Sequence, residues 1–576
     1  MARLTANVGP VTSILRSSCS KSRACYNTAV SGSIARYPAT GEEFERLFQY
    51  TSGRWLYNEK KRFEERKRVF NVFELKKLAA EAVSRDVKDI VYFDKLGEGA
   101  GNRAFLIRMR DGFSLVARIP YTSLQPRRLL VASEAATLDF LHSKGLSVPT
   151  VYAYSATSDN AAGVEYMFME YSRGQQLSSI WFDMVSEQRR KFVESLVDLE
   201  CRIGAISFPA SGSLFFRRDL PAGIPGIAID PHIDETSDSL VVGPSVAQDL
   251  WYGKRVELSI DRGPFREAEQ VLDSGASKEI EYLRGHGRPL LPFDRIRRET
   301  FNLEPQSPAT HIDSLEKYLS ITEHILPRDD NNNSLLPTLR HPDLRPANIF
   351  ESPDFAITSI IDWQHSVVFP ALLNAGVPED LNNSRDPVSK ALETPRLPTN
   401  LESMTEDEQA EQLAILRERE LHYEYITQTA ERNPLHFEAL RYPYSTGRRK
   451  LFNLASAPWQ GDNIPLRSTL VFLKQHWEKF SNAPGARCPM SFSEAEEEEC
   501  LRLDDSEREA EEQMKETKEL LGIGPEGWVP NDHHEAAKEA VVKMKKLALE
   551  CAETEMDRIA VSEHWVFDDR DEDEYL

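Results

Sequence analysis

Three polar residues near the middle of the chain have the types and spacing of a phosphoryl-transfer site. Asp343 is followed five positions later by Asn348, and an apolar stretch, 355–361, then leads to Asp362. Carboxylate and amide oxygens are the hard ligands that Mg²⁺ prefers, and a carboxylate can accept the proton of an attacking hydroxyl. The pattern therefore predicts a site that handles ATP, Mg²⁺ and one hydroxyl group.

The same residue types are common in ordinary turns, so the surroundings decide between the two interpretations. Apolar neighbours are expected to pack the loop onto a core, and a strand over 355–361 would deliver Asp362 beside it. In protein kinases the corresponding residues act as base and metal ligands. We therefore assign the catalytic base to Asp343 and the metal to Asn348 and Asp362, and expect His341 to brace the loop.

A glycine-rich hairpin is predicted upstream, where a loop that covers phosphates would be needed. Two strand patterns, 91–96 and 104–109, flank it, and its glycines let the backbone approach phosphate oxygens without an intervening side chain. No helix follows the loop, which argues against a Rossmann turn, although three glycines can also mark a simple tight turn. The candidate nucleotide-binding residues here are Gly97, Gly99, Gly101 and Asn102.

The next predicted strand, 113–120, carries Arg118 where kinase-like folds place a phosphate-gripping lysine. Arginine keeps the positive charge but presents it as a planar fork. Its predicted partner is Glu134, near the start of a helical pattern. The alternatives are an arginine that points to solvent and a surface glutamate. A later apolar strand, 166–171, which is followed by polar residues and Gly174, is predicted to form the hinge between the lobes that meets adenine.

The order of these motifs resembles the aminoglycoside phosphotransferase family. The catalytic loop departs from the common form of that family at Pro342, Arg345 and Ala347, and it matches at His341, Asp343, Leu344, Pro346 and Asn348. Further segments resemble a fungal mitochondrial branch of the family: 50–56, 116–120, 242–245, 261–265 and 361–364.

The resemblance implies an α+β, two-lobed protein-kinase-like fold. Its N-lobe would be a small antiparallel β-sheet, and its C-lobe mainly helical with helical extensions. The implied activity is ATP- and Mg²⁺-dependent phosphoryl transfer to a small-molecule hydroxyl in mitochondria.

Two departures from active relatives support an alternative function. Arg118 replaces the usual lysine, and residues 367–373 are apolar where active relatives often carry an acidic residue. That alternative is an inactive kinase-like protein that binds a nucleotide or a partner. A protein kinase is less favoured, because no activation loop is evident after Trp363.

Composition narrows the classes of partner. The net charge of −22 argues against a nucleic acid or an anionic membrane surface as a partner. No apolar run approaches the roughly 20 residues of a membrane helix, so no membrane span is predicted. The six cysteines lack metal-ligand spacing, which favours reduced thiols. The expected partners are a nucleotide and a small-molecule acceptor, with a protein bound through acidic C-terminal helices as a further candidate.

The first forty residues differ in composition from the chain as a whole, which is acidic. They carry five basic residues among many Ser, Thr and Ala, and the first acidic residue is Glu42. This composition is typical of a mitochondrial transit peptide, and a disordered basic tail is the alternative. We expect the mature protein to lie in the mitochondrial matrix.

The predicted organisation has five parts. They are a transit peptide, 1–40; a helical extension, 41–87; the N-lobe, 88–172; the C-lobe, 173–480, with an insertion at 205–328 and the catalytic loop at 341–363; and an acidic helical extension with a tail, 481–576. The tail from 568 onward is predicted to be disordered. The apolar helix face of the first extension is predicted to comprise Phe70, Phe73, Leu75, Leu78, Ala79 and Ala82.

Overall fold

The computed structural model describes residues 41–230, 239–327, 333–483 and 485–576. The predicted transit peptide, 1–40, lies outside these residues. From residue 41 to the main sheet, the described residues form α1 (Gly41–Phe48), β1 (Arg54–Trp55), α2 (Glu59–Arg66) and α3 (Val72–Ala82).

The N-lobe is built on a five-stranded sheet in which every neighbouring pair is antiparallel, in the order β2-β3-β4-β6-β5. Gly112 has a φ of 87° in the turn between β3 and β4, a conformation that glycine adopts without strain. Asp111 accepts the Phe113 N–H there at 3.0 Å. The elements are β2 (Ile90–Glu98), β3 (Asn102–Met109), β4 (Ser114–Pro120), α4 (Arg127–Ser143), β5 (Val151–Ser155) and β6 (Tyr166–Glu170).

Edge-to-face contacts between aromatic rings attach the N-terminal helices to the sheet. Phe105 of β3 is fully buried, and its ring centroid lies 5.3 Å from that of Phe70 and 5.2 Å from that of Phe93. Phe70 also meets Phe48 of α1 at 5.2 Å. Phe73 was expected on the same apolar face, but it is 64% exposed, because it lies on the opposite side of α3 from the buried Leu75 and Ala79.

The C-lobe is mainly helical and contains three small sheets, ordered β13-β12-β7, β11-β14 and β8-β10-β9. Its helices are α5 (Ser186–Gly204), α6 (Ala268–His286), α7 (Pro308–Leu319), α8 (Thr322–Ile325), α9 (Ala371–Asn374), α10 (Pro387–Lys390), α11 (Glu406–Arg432), α12 (Pro434–Arg441), α13 (Ser445–Ser456), α14 (Ile464–Gln475) and α15 (Trp477–Phe480). Its strands are β7 (Gln175–Gln176), β8 (Ser213–Phe216), β9 (Ile227–Ala228), β10 (Leu240–Gly243), β11 (Pro337–Leu339), β12 (Ile349–Glu351), β13 (Ile357–Ile360) and β14 (Val368–Pro370).

One hydrophobic core joins the two lobes. It runs from Leu138 of α4 through Leu196 of α5 and Tyr425 of α11 to Ile349 and Ile360 of the β12–β13 hairpin. All five side chains are at most 2% exposed, so the strands that carry the catalytic loop are held by both lobes. The α+β, two-lobed architecture predicted from the sequence is confirmed.

The C-terminal region forms α16 (Glu494–Leu521), β15 (Trp528–Val529), α17 (His534–Glu550) and α18 (Glu555–Glu563). Ser493 and Glu496 form a capping box that begins the acidic helix α16, which satisfies backbone N–H groups left open at its start. The prediction of a disordered tail is wrong. Tyr575 is 3% exposed, and its hydroxyl donates to the Leu291 carbonyl at 2.8 Å.

None of the helices within the described ranges combines the length and apolar character needed to cross a membrane.

Phe105→Ala should destabilise the protein by about 3–5 kcal/mol, because it removes a fully buried ring and leaves a cavity between α3 and the sheet. Thermal melts would measure the loss. Phe73→Ala is the matched control, since it truncates an exposed ring beside the same core and should change stability by less than about 0.5 kcal/mol. Equal melting temperatures for the two variants would contradict this description of the core.

Candidate active site

The catalytic loop between β11 and β12 is braced by His341. Its Nδ1 accepts the Asp343 N–H at 3.1 Å, so the proton lies on Nε2, which donates to the Ile361 carbonyl at 2.9 Å. The ring also contacts the fully buried Trp363, with 4.7 Å between centroids. Burial lowers the pKa of His341 below its ordinary value. The ring is therefore a neutral support that ties the start of the loop to the strand before Asp362.

The β12–β13 hairpin brings the two halves of the candidate metal site together. Ile349 pairs with Ile360, and the Ile361 N–H donates to the Asn348 carbonyl at 2.9 Å. Asn348 and Asp362 are consequently neighbours at the open end of the hairpin. Asp362 has a φ of 68°, a left-handed conformation that is uncommon outside glycine. This turn directs the chain away from β13 immediately after the predicted ligand.

Asp343 and Asn348 are linked directly. The side-chain nitrogen of Asn348 donates to the Asp343 carbonyl at 2.9 Å and to its carboxylate at 3.3 Å. Because the nitrogen makes these bonds, the amide oxygen is the atom available to a metal. The carboxylate of Asp343 is half exposed and lies 3.0 Å from Nε of Arg345. Arg345 was not predicted as a site residue, although its position two residues after Asp343 indicates that the two side chains can meet.

Arg118 joins the two lobes at the centre of the site. One guanidinium nitrogen pairs with Glu134 of α4, and another pairs with Asp362 and lies 3.2 Å from Oε1 of Gln364. The predicted pairing of Arg118 with Glu134 is present, and the alternatives of a solvent-facing arginine and a surface glutamate are wrong. Glu134 is buried, and the side chain of Arg118 is only 11% exposed. The contact between Arg118 and Asp362 was not predicted.

These contacts shift the pKa of each partner. Burial alone would lower the pKa of Arg118, but the two carboxylates outweigh it and raise that pKa. Burial raises the pKa of Glu134 to about 7, with a further contribution from the negative charge of Asp362, and the attraction of Arg118 only partly offsets this rise. Burial also acts to raise the pKa of Asp362, but Arg118 prevails and holds it below its ordinary value. Asp362 is therefore an ionised carboxylate, as a metal ligand must be.

The glycine-rich hairpin, residues 95–104, comprises the end of β2, the start of β3 and the turn between them. A Cβ added at Gly97 would meet nothing within 4 Å, and one at Gly99 would meet only the Asn102 carbonyl, at 3.7 Å. Space for a ligand therefore exists beside this backbone. Gly101 is more crowded, because a Cβ there would approach Leu124 at 3.1 Å.

Asn102 spans the cleft to the opposite lobe. Its carboxamide contacts Oε1 of Gln364 at 2.6 Å, so the hairpin end touches the segment that follows Asp362. Gln364 belongs to the 361–364 motif, but it was not predicted as a site residue. The structure thus brings together Asn102, Arg118 and Glu134 with Asp362.

The segment after β6 connects the two lobes. Gly174 has a φ of 104°, and a Cβ there would lie 2.3 Å from the Glu351 carbonyl, so only glycine fits. Thr358 donates to the Arg173 carbonyl at 2.8 Å. The predicted hinge is thus attached to the same hairpin that carries Asn348.

The insertion reaches the site from the other side. Gly212 and Val368 exchange two backbone hydrogen bonds, of 2.9 and 2.7 Å. His365 donates from Nδ1 to the Val246 carbonyl at 3.0 Å, and burial lowers the pKa of His365. The 242–245 motif therefore leads to a backbone contact that supports the turn after Asp362.

Comparisons with known proteins identify relatives of this chain. The model of the phosphotransferase enzyme family APH matches residues 93–373, which include every predicted site residue. A subtelomeric hrmA-associated cluster protein of Aspergillus fumigatus is 32% identical over 479 residues, covering 77% of this chain and 90% of that protein.

More distant similarity extends to proteins named altered inheritance of mitochondria protein 9, mitochondrial. The Yarrowia lipolytica protein is 26% identical over 58% of this chain and 60% of its own length. The Saccharomyces cerevisiae protein is 20% identical over 84% of this chain and 86% of its own length. Among solved structures, the streptomycin–ATP–APH(2″)-IIa ternary complex is 14% identical, covers 72% of this chain and 100% of its own, and has a TM-score of 0.34.

The predicted resemblance is confirmed, because the A. fumigatus relative extends over most of both chains and the family model spans the whole candidate site. The protein belongs to the APH phosphotransferase enzyme family.

Proposed function

We propose that the protein is an ATP- and Mg²⁺-dependent phosphotransferase of mitochondria that acts on a hydroxyl group of a small molecule. The observation that carries the proposal is the meeting of Asp343, Asn348 and Asp362 at one end of the β12–β13 hairpin, facing Arg118. The mitochondrial location is supported by the acid-free basic composition of residues 1–40 and by the names of the relatives.

In this proposal Asp343 accepts the proton of the acceptor hydroxyl. The hydroxyl oxygen forms a bond to the terminal phosphorus of ATP, and the bond from that phosphorus to the bridging oxygen breaks, which releases ADP. Asp343 suits this role because its carboxylate is half exposed and held by Arg345 and Asn348. Most of the catalysis would come from positioning and charge stabilisation.

The donor set is compatible with Mg²⁺. The Asn348 amide oxygen and the ionised Asp362 are hard oxygen ligands, and Mg²⁺ commonly uses one or two carboxylates together with phosphates and water. Asn348 and Asp362 would supply two oxygen ligands, and the phosphates of the nucleotide together with water would supply the others. Bound Mg²⁺ would supply positive charge to the phosphates.

Arg118 would then contribute a second positive charge. Its guanidinium would exchange the contact with Asp362 for phosphate oxygens while it kept the contact with Glu134. An arginine fork can hold both an acid and a phosphate.

A cavity beside Asp343 is the candidate acceptor pocket. It has a volume of about 180 Å³ and is lined by the catalytic loop and by Val377, Pro378 and Glu379. Burial raises the pKa of the nearby Asp380. In this proposal the cavity holds the hydroxyl-bearing part of the small molecule beside Asp343.

One observation favours a second candidate function, a kinase-like protein that binds a nucleotide or a partner without transfer. Arg118 forms an ion pair with Asp362, the residue expected to hold the metal. If that pair persists with nucleotide bound, Asp362 does not reach Mg²⁺ and no transfer follows.

ATP with Mg²⁺ should raise the melting temperature of the full chain, because a ligand that binds only the folded state stabilises it by about 2.7 kcal/mol at about 100 times Kd. A thermal shift assay would compare no ligand, Mg²⁺ alone and both together. Asp362→Asn should lose the Mg²⁺-dependent part of the shift.

Asp354→Asn is the control for this assay, since it makes the same change at an exposed carboxylate in the β12–β13 turn. It should keep the full shift. If well-folded wild-type protein showed no shift at millimolar ATP, both the phosphotransferase and the nucleotide-binding candidates would be wrong.

Asp343→Asn should lower turnover by about 10²-fold or more, because the base and positioning contributions are lost together, and nucleotide affinity should change little. The measurement is ADP formation with pools of hydroxyl-bearing small molecules, with mass spectrometry of the phosphorylated product. Asp354→Asn again serves as the control. Nucleotide binding without any phosphorylated product would favour the non-catalytic candidate.

A further inference from the structure

The 50–56 motif, which the proposed chemistry does not use, contacts the root of the glycine-rich hairpin. Glu98 is the last residue of β2, and its side chain is 2% exposed. One carboxylate oxygen accepts from the Thr51 N–H at 2.8 Å, the Thr51 hydroxyl at 3.1 Å and the Ser52 hydroxyl at 2.8 Å. The other accepts from Lys95 and Arg103, each at 3.0 Å. Five donors therefore hold one carboxylate beside Gly99.

Arg103, which faces Glu98 across the hairpin, extends this anchor. It is fully buried and pairs with Glu98 in the β2–β3 register. Its guanidinium also donates to the Leu47 carbonyl at 2.9 Å and to the Arg66 carbonyl at 3.1 Å. Both strands of the hairpin are thus attached to the segment that contains α1 and α2.

That segment is joined in turn to the C-terminal region. Arg54 and Trp55 of β1 pair with Val529 and Trp528 of β15. A Cβ at Gly53 would lie 2.4 Å from the Trp528 ring, so the two segments approach as closely as glycine allows.

Buried charges reinforce the junction further along. Arg62 donates to both oxygens of Glu572 at 2.6 and 2.7 Å, and both side chains are below 10% exposed. Asn58 and Arg570 exchange two hydrogen bonds, of 2.9 and 2.8 Å. Removing one partner of a buried ion pair leaves an uncompensated charge, so this junction is sensitive to single substitutions.

The C-terminal region is finally attached to the C-lobe. Arg295 donates to the Trp565 carbonyl at 2.7 Å and to the Asp569 carbonyl at 3.0 Å. Tyr575 donates to the Leu291 carbonyl at 2.8 Å. A continuous set of contacts therefore runs from Glu98 to the C-lobe without passing through the hinge near Gly174.

We propose that residues 50–66 and 526–576 form an interlobe strap and that Glu98 is the positioning residue through which this strap holds the glycine-rich hairpin over the cleft. Movement of the tail would then change the position of the hairpin. The strap itself is independent of catalysis, and only its effect on nucleotide affinity rests on the proposed function.

Hydrogen exchange of the full chain without nucleotide tests the strap. Glu572→Lys opposes Arg62 with a like charge far from the hairpin. It should speed exchange of the backbone N–H groups of residues 96–104 by about tenfold or more, because exchange follows local opening. Exchange in α5 should stay unchanged. Glu499→Lys is the matched control, since it reverses an exposed carboxylate of α16 that pairs with Arg502, and it should leave the hairpin as in the wild type.

Two further variants test the strap if Glu572→Lys fails to fold. Glu98→Gln, and Thr51→Ala combined with Ser52→Ala, act at the other end of the strap and should produce the same local increase. Hairpin exchange within about twofold of the wild type in these folded variants would overturn the proposal, since the hairpin would then hold its position unaided.

Nucleotide affinity is the second measurement. Glu572→Lys should weaken ATP binding with Mg²⁺ by about tenfold if the hairpin covers the phosphates, and Glu499→Lys should not weaken it. A wild type that binds no ATP would refute the proposed function, and the exchange result would still decide the strap. A wild type that binds ATP, with faster hairpin exchange but unchanged affinity in Glu572→Lys, would overturn the positioning role of Glu98.

Discussion

The candidate site is organised around one buried cation. Arg118 pairs with Glu134 of α4 and with Asp362 after β13, so one guanidinium joins the sheet, the helix beside it and the C-lobe. An isolated charge at this depth would be strongly unfavourable, and the two carboxylates compensate it. The cleft is therefore held in its observed form by charge pairing, and any bound anion has to compete for Arg118.

The catalytic loop depends on a different kind of constraint. His341 and Asn348 use neutral hydrogen bonds to fix the backbone around Asp343, and Trp363 fills the space beneath them. Neutral groups suit this role because they hold the geometry without adding charge beside Asp343 and Asp362. The base of the loop is consequently held in place, while the carboxylate of Asp343 stays half exposed to solvent.

The insertion of the C-lobe and the C-terminal region outside the two lobes support the site from several sides. The insertion supports the turn after Asp362 through Val246 and Gly212. The C-terminal region pairs with β1 and contacts the helices beside the glycine-rich hairpin. The acidic character of α16 is partly used within the molecule, since Arg297 pairs with Glu507 and Glu511 of that helix. These contacts leave fewer of its charges available to a partner than the sequence alone suggests.

The sequence by itself determined the local features: the turn at Gly112, the capped start of α16, and the spacing of Asp343, Asn348 and Asp362. Each depends on residues a few positions apart, where backbone geometry relates residue type directly to structure. Family resemblance added the two-lobed fold and the pairing of Arg118 with Glu134.

Only the tertiary structure decided how distant segments meet. The contact of Arg118 with Asp362 joins residues 244 positions apart, and that of Arg62 with Glu572 joins residues 510 apart. The composition of the tail from 568 onward predicts a disordered acidic segment, yet the tail is packed. Glu572 and Tyr575 contact residues that are distant in sequence and that the fold places beside them. Composition and periodicity indicate the charge and hydrophobicity of a segment. Which other segments it contacts depends on the path of the whole chain.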